Sequence, residues 1–293
     1  MAPDVLVVGA LHLDVIVTAA RLPVRDETLI GSAVAYAFGG KGGNQAVAAA
    51  RMGARAAMAG RVGDDAFAAT VLAALDVGGV NRSRVQSVKG ATGMSAAMLD
   101  ANGDYAAVVV SGVNAGIRAE EIDLPAGLPV LILQNEIPDR VNASLVARLG
   151  AETRLIFNAA PARAVAQAIL KRCNILIVNR VEAAMLTGQD SETLDSATAA
   201  RVLKEQGPGV VIVTLGGDGV VADSFAAPAH RVAVLSTHGA GDAFTGALAA
   251  RIAAGDGPET ACRFAQAAAA LHVSNPPERR AGITKADVRQ LMA

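Results

Sequence analysis

Short apolar runs alternate with alanine-rich stretches of helical periodicity along most of the chain. The apolar runs are bounded by glycine or polar residues, which is typical of buried strands. They are Val5–Val8, Ala56–Ala59, Val130–Leu133, Arg154–Phe157, Ile175–Val178 and Val210–Thr214. The helical stretches are Asn44–Met52, Ala66–Leu75, Arg140–Leu149, Ala162–Arg172 and Ser196–Gln206. This alternation predicts a parallel sheet with helices on both faces, whose ligands bind beyond the carboxyl ends of the strands.

Two regions interrupt the alternation. Leu13–Ala19 and Thr28–Ala37 have strand character with no helix between them, and the turn-rich segment RLPVRDE joins them. Met94–Leu99 and Tyr105–Val110 flank Ala101–Asp104, which has the composition of a hairpin turn. Four strands without helices predict a small separate sheet, and we expect it to cover one end of the main sheet as a lid.

The last third of the chain continues with strands and then turns helical. Its predicted elements are the strands Val220–Asp223 and Arg231–Leu235 and the helices Ala243–Ala254 and Pro258–Val273. The sequence contains no internal repeat, low-complexity tract or flexible linker. We therefore expect residues 1–293 to form a single domain, with the lid inserted from about 12–37 and 94–111.

Composition and charge narrow the class of function. Apolar residues make up 52% of the 293 positions, enough for a large core and too many for global disorder. The 26 basic and 27 acidic residues give a net charge of −1, so no overall positive field would hold a nucleic acid. Aromatic residues make up only 3%, which also argues against base-stacking surfaces. We expect no nucleic-acid partner.

The sequence also argues against a membrane protein. Its apolar runs are short and interrupted by charge, whereas a spanning helix needs ~18 or more apolar residues in succession. The start MAPDVLVVGA lacks the basic segment of a signal peptide. Cys173 and Cys262 are isolated from each other and from histidines, as expected of reduced thiols. These features predict a cytoplasmic protein without a membrane partner.

The densest glycine cluster is Gly39–Gln45, which directly precedes a helix. Four glycines with Lys41 and Asn44 at a helix start leave backbone N–H groups open to a polar ligand. The spacing is not that of a P-loop, because glycine follows the lysine where serine or threonine is needed. An ordinary tight turn is the alternative interpretation.

A second cluster, Thr237–Asp242, also opens a predicted helix. Small residues at a helix N-terminus expose N–H donors that can stabilise a phosphate. Asp242 is then either a simple partner of the helix dipole or a base that takes a proton from a hydroxyl nucleophile. The segment GAGDAFTG lacks the third glycine of a dinucleotide fingerprint and does not follow the first strand, which argues against an NAD-dependent oxidoreductase.

Taken together, the two clusters resemble the signatures of the ribokinase or PfkB-type carbohydrate kinases, GGK-G-x-N near the N-terminus and T-x-G-A-G-D near the C-terminus. Further matches are RVGDD, NAAPAR, NRVEAAMLTG and VTLGGDGV, so the resemblance spans nearly the whole chain. It implies a three-layer α/β/α domain with a central, mostly parallel sheet and a small four-strand β lid. It also implies a kinase that uses ATP and Mg²⁺.

The resemblance assigns roles to individual residues. It implies sugar contacts for Asp14 (placed at the end of the first strand), Gly40, Lys41, Asn44, Glu136 and Asp242. It implies nucleotide contacts for Asn179, Thr214, Gly216, Gly219 and Gly241, and water-mediated Mg²⁺ binding by Asn179 and Glu182. Gly239, Ala240 and Gly241 are the implied anion hole, and Asp242 is the implied catalytic base.

The match departs from the family pattern at two positions and in the later loop SNPPERRAGI, which lacks the sequence usual in the family. His12 stands where ribokinases usually carry an asparagine that contacts the sugar, which leaves the identity of the sugar open. Ser236 stands where they usually have an aspartate that helps to bind an activating monovalent cation. A neutral hydroxyl supplies an oxygen without the charge, so Ser236 and His238 would form only a weak K⁺ site, and we expect little or no activation by K⁺.

The sequence thus predicts an ATP-dependent kinase of a primary sugar hydroxyl, with ribose as the first candidate. A nucleoside kinase of the same fold is one alternative, and a catalytically silent sugar- or nucleotide-binding regulator is another. Retention of Asp242 and the anion-hole glycines argues against the regulator. The partners expected are a small sugar, ATP and a second copy of the chain, with the lid forming the contact of a homodimer.

Overall fold

A computed structural model of the protein describes residues 2–100 and 105–293. The strands in this part of the chain are β1 (Val5–Val8), β2 (His12–Thr18), β3 (Ala33–Gly39), β4 (Ala56–Val62), β5 (Asn81–Ser87), β6 (Gly93–Leu99), β7 (Tyr105–Val110), β8 (Val130–Gln134), β9 (Arg154–Asn158), β10 (Ile175–Asn179), β11 (Val210–Thr214), β12 (Val220–Ala222) and β13 (Ala226–Ala227). The α-helices are α1 (Lys41–Arg51), α2 (Ala66–Val77), α3 (Asp139–Ala147), α4 (Gln167–Arg172), α5 (Arg180–Thr187), α6 (Ser196–Glu205), α7 (Ala240–Ala253), α8 (Pro258–Ser274), α9 (Pro277–Arg280) and α10 (Lys285–Met292). The predicted turn Ala101–Asp104 lies outside the described residues.

The described strands form a sheet of nine in the order β13-β12-β11-β10-β9-β8-β1-β4-β5. All pairings from β11 to β5 are parallel, and only β12 and β13 are antiparallel to their neighbours. In β1, Val5 and Val7 belong to one apolar cluster and Leu6 and Val8 to another, because successive side chains point to opposite faces. Helices cover both faces, which confirms the predicted three-layer architecture with its mostly parallel sheet.

Six predicted strands are confirmed. Their apolar pattern was visible in the sequence because they lie inside the sheet, where side chains on both faces are buried.

Strand β5 and helix α5 were missed by the apolar pattern. The sequence of β5, NRSRVQS, is polar, and the strand lies at the edge of the sheet, where its side chains are largely exposed. Such a strand is specified by its neighbour β4 and not by a run of apolar residues.

The predicted strand Arg231–Leu235 is wrong. These residues are irregular, and the N–H of Leu235 donates to the carbonyl of Val273 at the end of α8, at 2.8 Å. The apolar alternation of RVAVL has strand character, but a strand also needs a neighbour for its backbone groups. Here the backbone of Leu235 is paired with a helix end, so the segment approaches α7 as a loop.

A separate sheet of four strands, in the order β3-β2-β6-β7, is formed by the two segments that interrupt the alternation. Strand β2 pairs antiparallel with β3 and parallel with β6. This confirms the predicted lid, although the first part of Thr28–Ala37 is irregular and β3 begins only at Ala33. Asp14 lies in β2 and not at the end of the first strand, so the lid carries this candidate sugar ligand.

The two faces of the lid differ in chemistry. Asp14 is in register with Ser95 of β6, so both side chains lie on one face. Tyr36, Val15, Ala96 and Val108 are in register across all four strands on the other face. Tyr36 is 62% exposed and Val108 67% exposed. One face of the lid therefore carries the buried carboxylate of Asp14, and the other has apolar side chains exposed to solvent at Tyr36 and Val108.

Both cysteines are free and buried. No helix within the described residues combines the length and the apolar character needed to cross a membrane.

Candidate active site

The two glycine clusters meet where α1 and α7 begin. The helices pack closely because residue 246 is glycine: a Cβ at that position would lie 2.4 Å from the carbonyl oxygen of Gln45. The Asn44 Nδ2 donates to one Asp242 oxygen at 3.4 Å, and the Gln45 Nε2 donates to the other at 2.9 Å. The first cluster therefore positions the carboxylate of the second.

Asp242 is 7% exposed and lies in the first turn of α7. Two neutral amide groups orient its oxygens without supplying a positive charge of their own. The N-cap Gly239 has φ 77°, a left-handed conformation that favours glycine, and its carbonyl accepts from the N–H of Ala243 at 2.9 Å. This geometry gives a fixed carboxylate beside a helix N-terminus.

A buried amide network supports Asp242, and the sequence analysis missed it. Gln45 also approaches Asn158 Oδ1, at 3.3 Å, and its own Oε1 accepts from Gln134 Nε2 at 2.8 Å. Gln134 and Asn158 end the adjacent strands β8 and β9. The sequence shows these residues only as amide side chains at a strand end and a helix start. This position does not identify the partners of their hydrogen bonds.

The N–H groups of the predicted anion hole are not equivalent. Helix geometry leaves the N–H groups of the first turn without acceptors inside the helix. The N–H of Ala240 donates to the carbonyl of Thr237 at 3.2 Å, in a turn. A Cβ on Gly241 would meet no atom within 4 Å, so this position borders open space. Gly241 is therefore the residue of the three best placed to receive an anion.

A cavity of about 410 Å³ lies between the turn that follows β11 and the helices α7 and α8. Four predicted nucleotide residues line it: Thr214, Gly216, Gly219 and Gly241. Val220, Val234, Phe244 and Ala269 supply apolar walls that the sequence analysis did not assign. Its size and its apolar walls with a polar, glycine-rich end suit a small organic ligand.

Gly219 shapes this cavity through its backbone. Its φ is 97°, and a Cβ there would lie 2.2 Å from the carbonyl oxygen of Ala227. Any side chain would push β13 away from the turn, so the cavity wall requires glycine at this position.

On the other side of the α7 N-terminus a second cavity, of about 340 Å³, extends towards the lid. Asn44, Asp242, Gly239 and His238 are among its lining residues, with Phe38 from β3. Asp14, Lys41 and Glu136 are not part of that lining. The first turn of α7 thus borders two cavities, with Gly241 lining one and Asp242 the other.

Asp14 of the lid strand β2 is buried and accepts from Ser95 Oγ at 2.5 Å, with His238 Nε2 3.7 Å from its other oxygen. Burial alone would raise the pKa of Asp14, but the interactions with His238 and Ser95 outweigh it and lower this pKa. Asp14 in turn raises the pKa of His238. The contact joins the lid to the loop before α7.

His12 is 3% exposed, and burial lowers its pKa, so the ring is neutral at pH 7. Its ring fits because residue 93 is glycine, where a Cβ would lie 2.4 Å from the His12 Cδ2. Within the described part of the chain, His12 Nε2 is a buried polar atom with no hydrogen-bond partner. Such an atom is costly unless a ligand or water completes it.

Lys41 lies among three carboxylates. The charge of Asp242 raises the pKa of Lys41 despite its burial, and Glu136 and Glu182 add to this effect. The Lys41 backbone N–H donates to Glu136 Oε2 at 2.7 Å. Gly40 precedes Lys41 and has φ 86°. A Cβ at residue 40 would lie 2.6 Å from the Ala10 carbonyl oxygen, so the close approach of these two backbone segments depends on glycine.

Burial raises the pKa of Glu136 from 4.5 to about 7. The folded protein thus binds this proton more tightly than the unfolded chain, so the stability of the wild type should fall as pH rises between these values. In Glu136→Gln this pH-dependent loss of stability should disappear. The melting temperature of the variant, measured between pH 4.5 and about 7, should fall less steeply with rising pH than that of the wild type. The exposed Glu152→Gln is the control; equal slopes for all three proteins would contradict the burial of an ionisable Glu136.

Asn179 and Glu182 form a capping box at the start of α5. Asn179 Oδ1 accepts from the Glu182 N–H at 2.8 Å, while the Glu182 oxygens accept from the Asn179 N–H and Nδ2 at 2.8 and 3.0 Å. Both residues are thus anchored to each other. In residues 2–100 and 105–293 no group of three or more acidic, cysteine or histidine side chains is arranged to hold a metal directly. An ion held mainly by phosphates and water is the arrangement compatible with this pair.

Comparison with known proteins places the chain among sugar kinases. Residues 2–280 match the pfkB family carbohydrate kinase. A ribokinase of Bacillus subtilis is 31% identical, over 99% of both chains, and a deoxyribokinase of Salmonella typhimurium is 32% identical, over 84% of both. The structure of Arabidopsis thaliana ribokinase complexed with ribose and ATP is 29% identical, with a TM-score of 0.89 over 100% of this chain and 99% of that one. The chain therefore belongs to the PfkB family of carbohydrate kinases and is a sugar kinase, a phosphotransferase acting on an alcohol group.

Proposed function

We propose that this kinase transfers the γ-phosphoryl group of ATP to the primary hydroxyl of ribose, giving ribose 5-phosphate. The observation that carries the proposal is the arrangement at the start of α7, where Gly241 borders the 410 Å³ cavity and Asp242, next in the chain, has an oriented carboxylate. The Arabidopsis relative, solved with ribose and ATP, supports the choice of both substrates.

In this proposal Asp242 orients the sugar hydroxyl and accepts its proton as the oxygen attacks phosphorus. Asn44 and Gln45 hold the carboxylate so that little reorganisation is needed during the reaction. The N–H of Gly241 and the positive end of the α7 dipole stabilise the charge on the transferring group. The proton leaves the hydroxyl as the new P–O bond forms and the bond to ADP breaks.

Thr214, Gly216 and Gly219 would hold the nucleotide in the 410 Å³ cavity. Asn179 and Glu182 fit water-mediated binding of Mg²⁺, because their side chains are anchored to each other and present amide and carboxylate oxygens, the ligands that Mg²⁺ and its waters prefer. The ion, when bound, neutralises phosphate charge. Lys41 adds a fixed positive charge among the carboxylates near the reaction centre.

We further propose that His12, Asp14, Gly40, Asn44 and Glu136 recognise the sugar. Asp14 is ionised and accepts hydroxyl hydrogens, and the unpartnered His12 Nε2 supplies one more hydrogen bond. A polar site that loses its partner discriminates strongly against a sugar lacking one hydroxyl. The resemblance to both a ribokinase and a deoxyribokinase makes the 2-hydroxyl the discriminating group to test.

The test is a phosphorylation screen of the purified protein with ATP and Mg²⁺ against ribose, deoxyribose, other pentoses, hexoses and nucleosides. We expect the highest kcat/KM with ribose and slow ATP hydrolysis without an acceptor. Preference for deoxyribose would overturn the choice of sugar, and preference for a nucleoside would overturn the substrate class. Binding without transfer to any acceptor would favour a regulator.

The exposed apolar side chains on the lid face that carries Tyr36 and Val108 support a homodimer. Tyr36 and Val108 stand in one row on this face, and β3 and β7 form the two edges of its sheet. Exposed edges and apolar faces pair readily with a second chain. We expect a dimer by light scattering, and Val108→Asp should shift it to monomer. Val181→Asp, which changes another exposed valine at the start of α5, should leave the dimer intact; two unchanged dimers would contradict the lid interface.

A further inference from the structure

The loop Leu235–Gly239 carries the residues that lead into the N-terminus of α7. The N–H groups of Leu235 and Ser236 donate to the Val273 carbonyl at 2.8 and 3.3 Å, which ties the loop to the end of α8. The carbonyls of Ser236 and His238 point to a different partner. Both accept from the guanidinium group of Arg280.

Arg280 is the last residue of α9 and is only 9% exposed. Its Nη2 donates to the Ser236 carbonyl at 3.4 Å, its Nη1 to the His238 carbonyl at 3.3 Å and its Nε to the Asn275 carbonyl at 3.1 Å. One planar cation therefore connects the loop before α7 with the loop after α8. A guanidinium suits this task because it carries several donors in a fixed plane and keeps its charge at all ordinary pH values.

Neighbouring groups reinforce the contact. His272 Nε2 lies 2.9 Å from the His238 carbonyl, and since a carbonyl only accepts, the ring carries its proton on that nitrogen. Arg51 of α1 donates to the carbonyl of Arg280 at 3.3 Å, so the backbone that carries the guanidinium is itself held. The assembly reaches from α1 through α9 to the loop that sets the start of α7.

The same geometry leaves no suitable place for a monovalent cation at these carbonyls. K⁺ requires several oxygen ligands, but the Ser236 and His238 carbonyls already face a guanidinium. An added ion among them would stand beside a like charge in a partly buried setting, where repulsion is poorly screened. Ser236 adds no compensating negative charge. The residues present do not fit K⁺.

We propose that Arg280 is a positioning residue that supplies, as part of the chain, the positive charge holding the loop before α7 in place, so that the kinase needs no monovalent cation. This inference rests on the proposed function, because the placement matters through Gly241, whose N–H stabilises the transferring phosphoryl group, and Asp242, which accepts the proton of the sugar hydroxyl. Misplacing such groups by about 1 Å can cost roughly 10²-fold in rate.

The first measurement is kinetic. Rates are recorded with K⁺ and with tetramethylammonium at constant ionic strength for the wild type, Arg280→Ala and the control Arg279→Ala, which changes the exposed neighbour in the same helix. We expect the wild type and the control to vary less than about twofold between the cations. In Arg280→Ala, kcat should fall about tenfold or more with KM for ATP nearly unchanged, and low concentrations of guanidinium chloride should restore part of it.

The second measurement does not depend on activity. Hydrogen exchange at the amides of residues 237–241, measured without substrates, should be faster in Arg280→Ala than in the wild type and the control. If the alanine variant does not fold, Arg280→Lys serves instead, since a lysine keeps the charge but lacks the planar array of donors. It should show an intermediate loss of kcat and faster exchange.

Strong saturable activation of the wild type by K⁺ would overturn the inference, as would unchanged exchange or full kcat in the Arg280 variants. An inactive wild type whose loop exchange still depends on Arg280 would overturn the proposed function alone.

Discussion

Asp242→Asn should lower kcat by roughly 10²–10⁴, the range associated with loss of a general base. The substitution keeps the size of the side chain, and its amide oxygen can still accept from Gln45. It removes the carboxylate that would take the proton of the sugar hydroxyl. KM for ATP should change little, since the residues lining the 410 Å³ cavity, the proposed nucleotide site, remain in place.

The control is Asp190→Asn, which changes an exposed aspartate far along the chain from α7. Both variants should unfold near the wild-type temperature. A kcat for Asp242→Asn within about threefold of the wild type would remove Asp242 from the role of base. Equal losses of kcat in both variants would indicate that the effect is not specific to this carboxylate.

Asp14→Ala should lower kcat/KM for ribose by roughly 10²-fold or more, because hydrogen bonds to a charged group contribute about 1.5–3 kcal/mol each. The carboxylate is held by Ser95 and contacts His238, so it is fixed before the sugar binds. Its loss also leaves the Ser95 hydroxyl without its acceptor and removes the carboxylate that faces His238. The KM for ATP should stay close to that of the wild type.

Ser95→Ala is the graded comparison, since it removes one donor to Asp14 but leaves the carboxylate. It should lower kcat/KM for the sugar by a smaller factor. Ribose analogues that each lack one hydroxyl identify the group that Asp14 binds: the analogue lacking that hydroxyl should lose efficiency with the wild type but not with Asp14→Ala. Equal losses with both enzymes for every analogue would place the sugar away from Asp14.

The buried strands of the main sheet were predictable from the sequence. β1 and β8–β11 are apolar on both faces and flanked by polar or glycine residues, and this local pattern reflects burial directly. The edge strand β5 and the irregular segment at 231–235 were not predictable in this way. Their conformation depends on whether a neighbouring strand offers backbone partners, which is a property of the assembled sheet.

The candidate active site likewise has features that the sequence predicts and features that it does not. The glycine clusters and the adjoining Asp242 are recognisable in the sequence, because close approach of a backbone to a ligand requires residues without side chains. The partners of Asp242 have no such pattern. Gln45 and Gln134 are ordinary amides until helix and strand ends bring them together, and the sequence analysis assigned neither of them.

The sequence by itself determined the alternation of buried strands with helices, the separate lid and the two glycine-rich helix starts, because each depends on local periodicity or on local backbone freedom. Only the tertiary structure decided which side chains meet. Arg280 lies 44 positions from Ser236, and the lid residue Asp14 lies 224 positions from His238. Contacts over such separations arise from packing of α1, α7 and α8 around one sheet, and no local pattern encodes them.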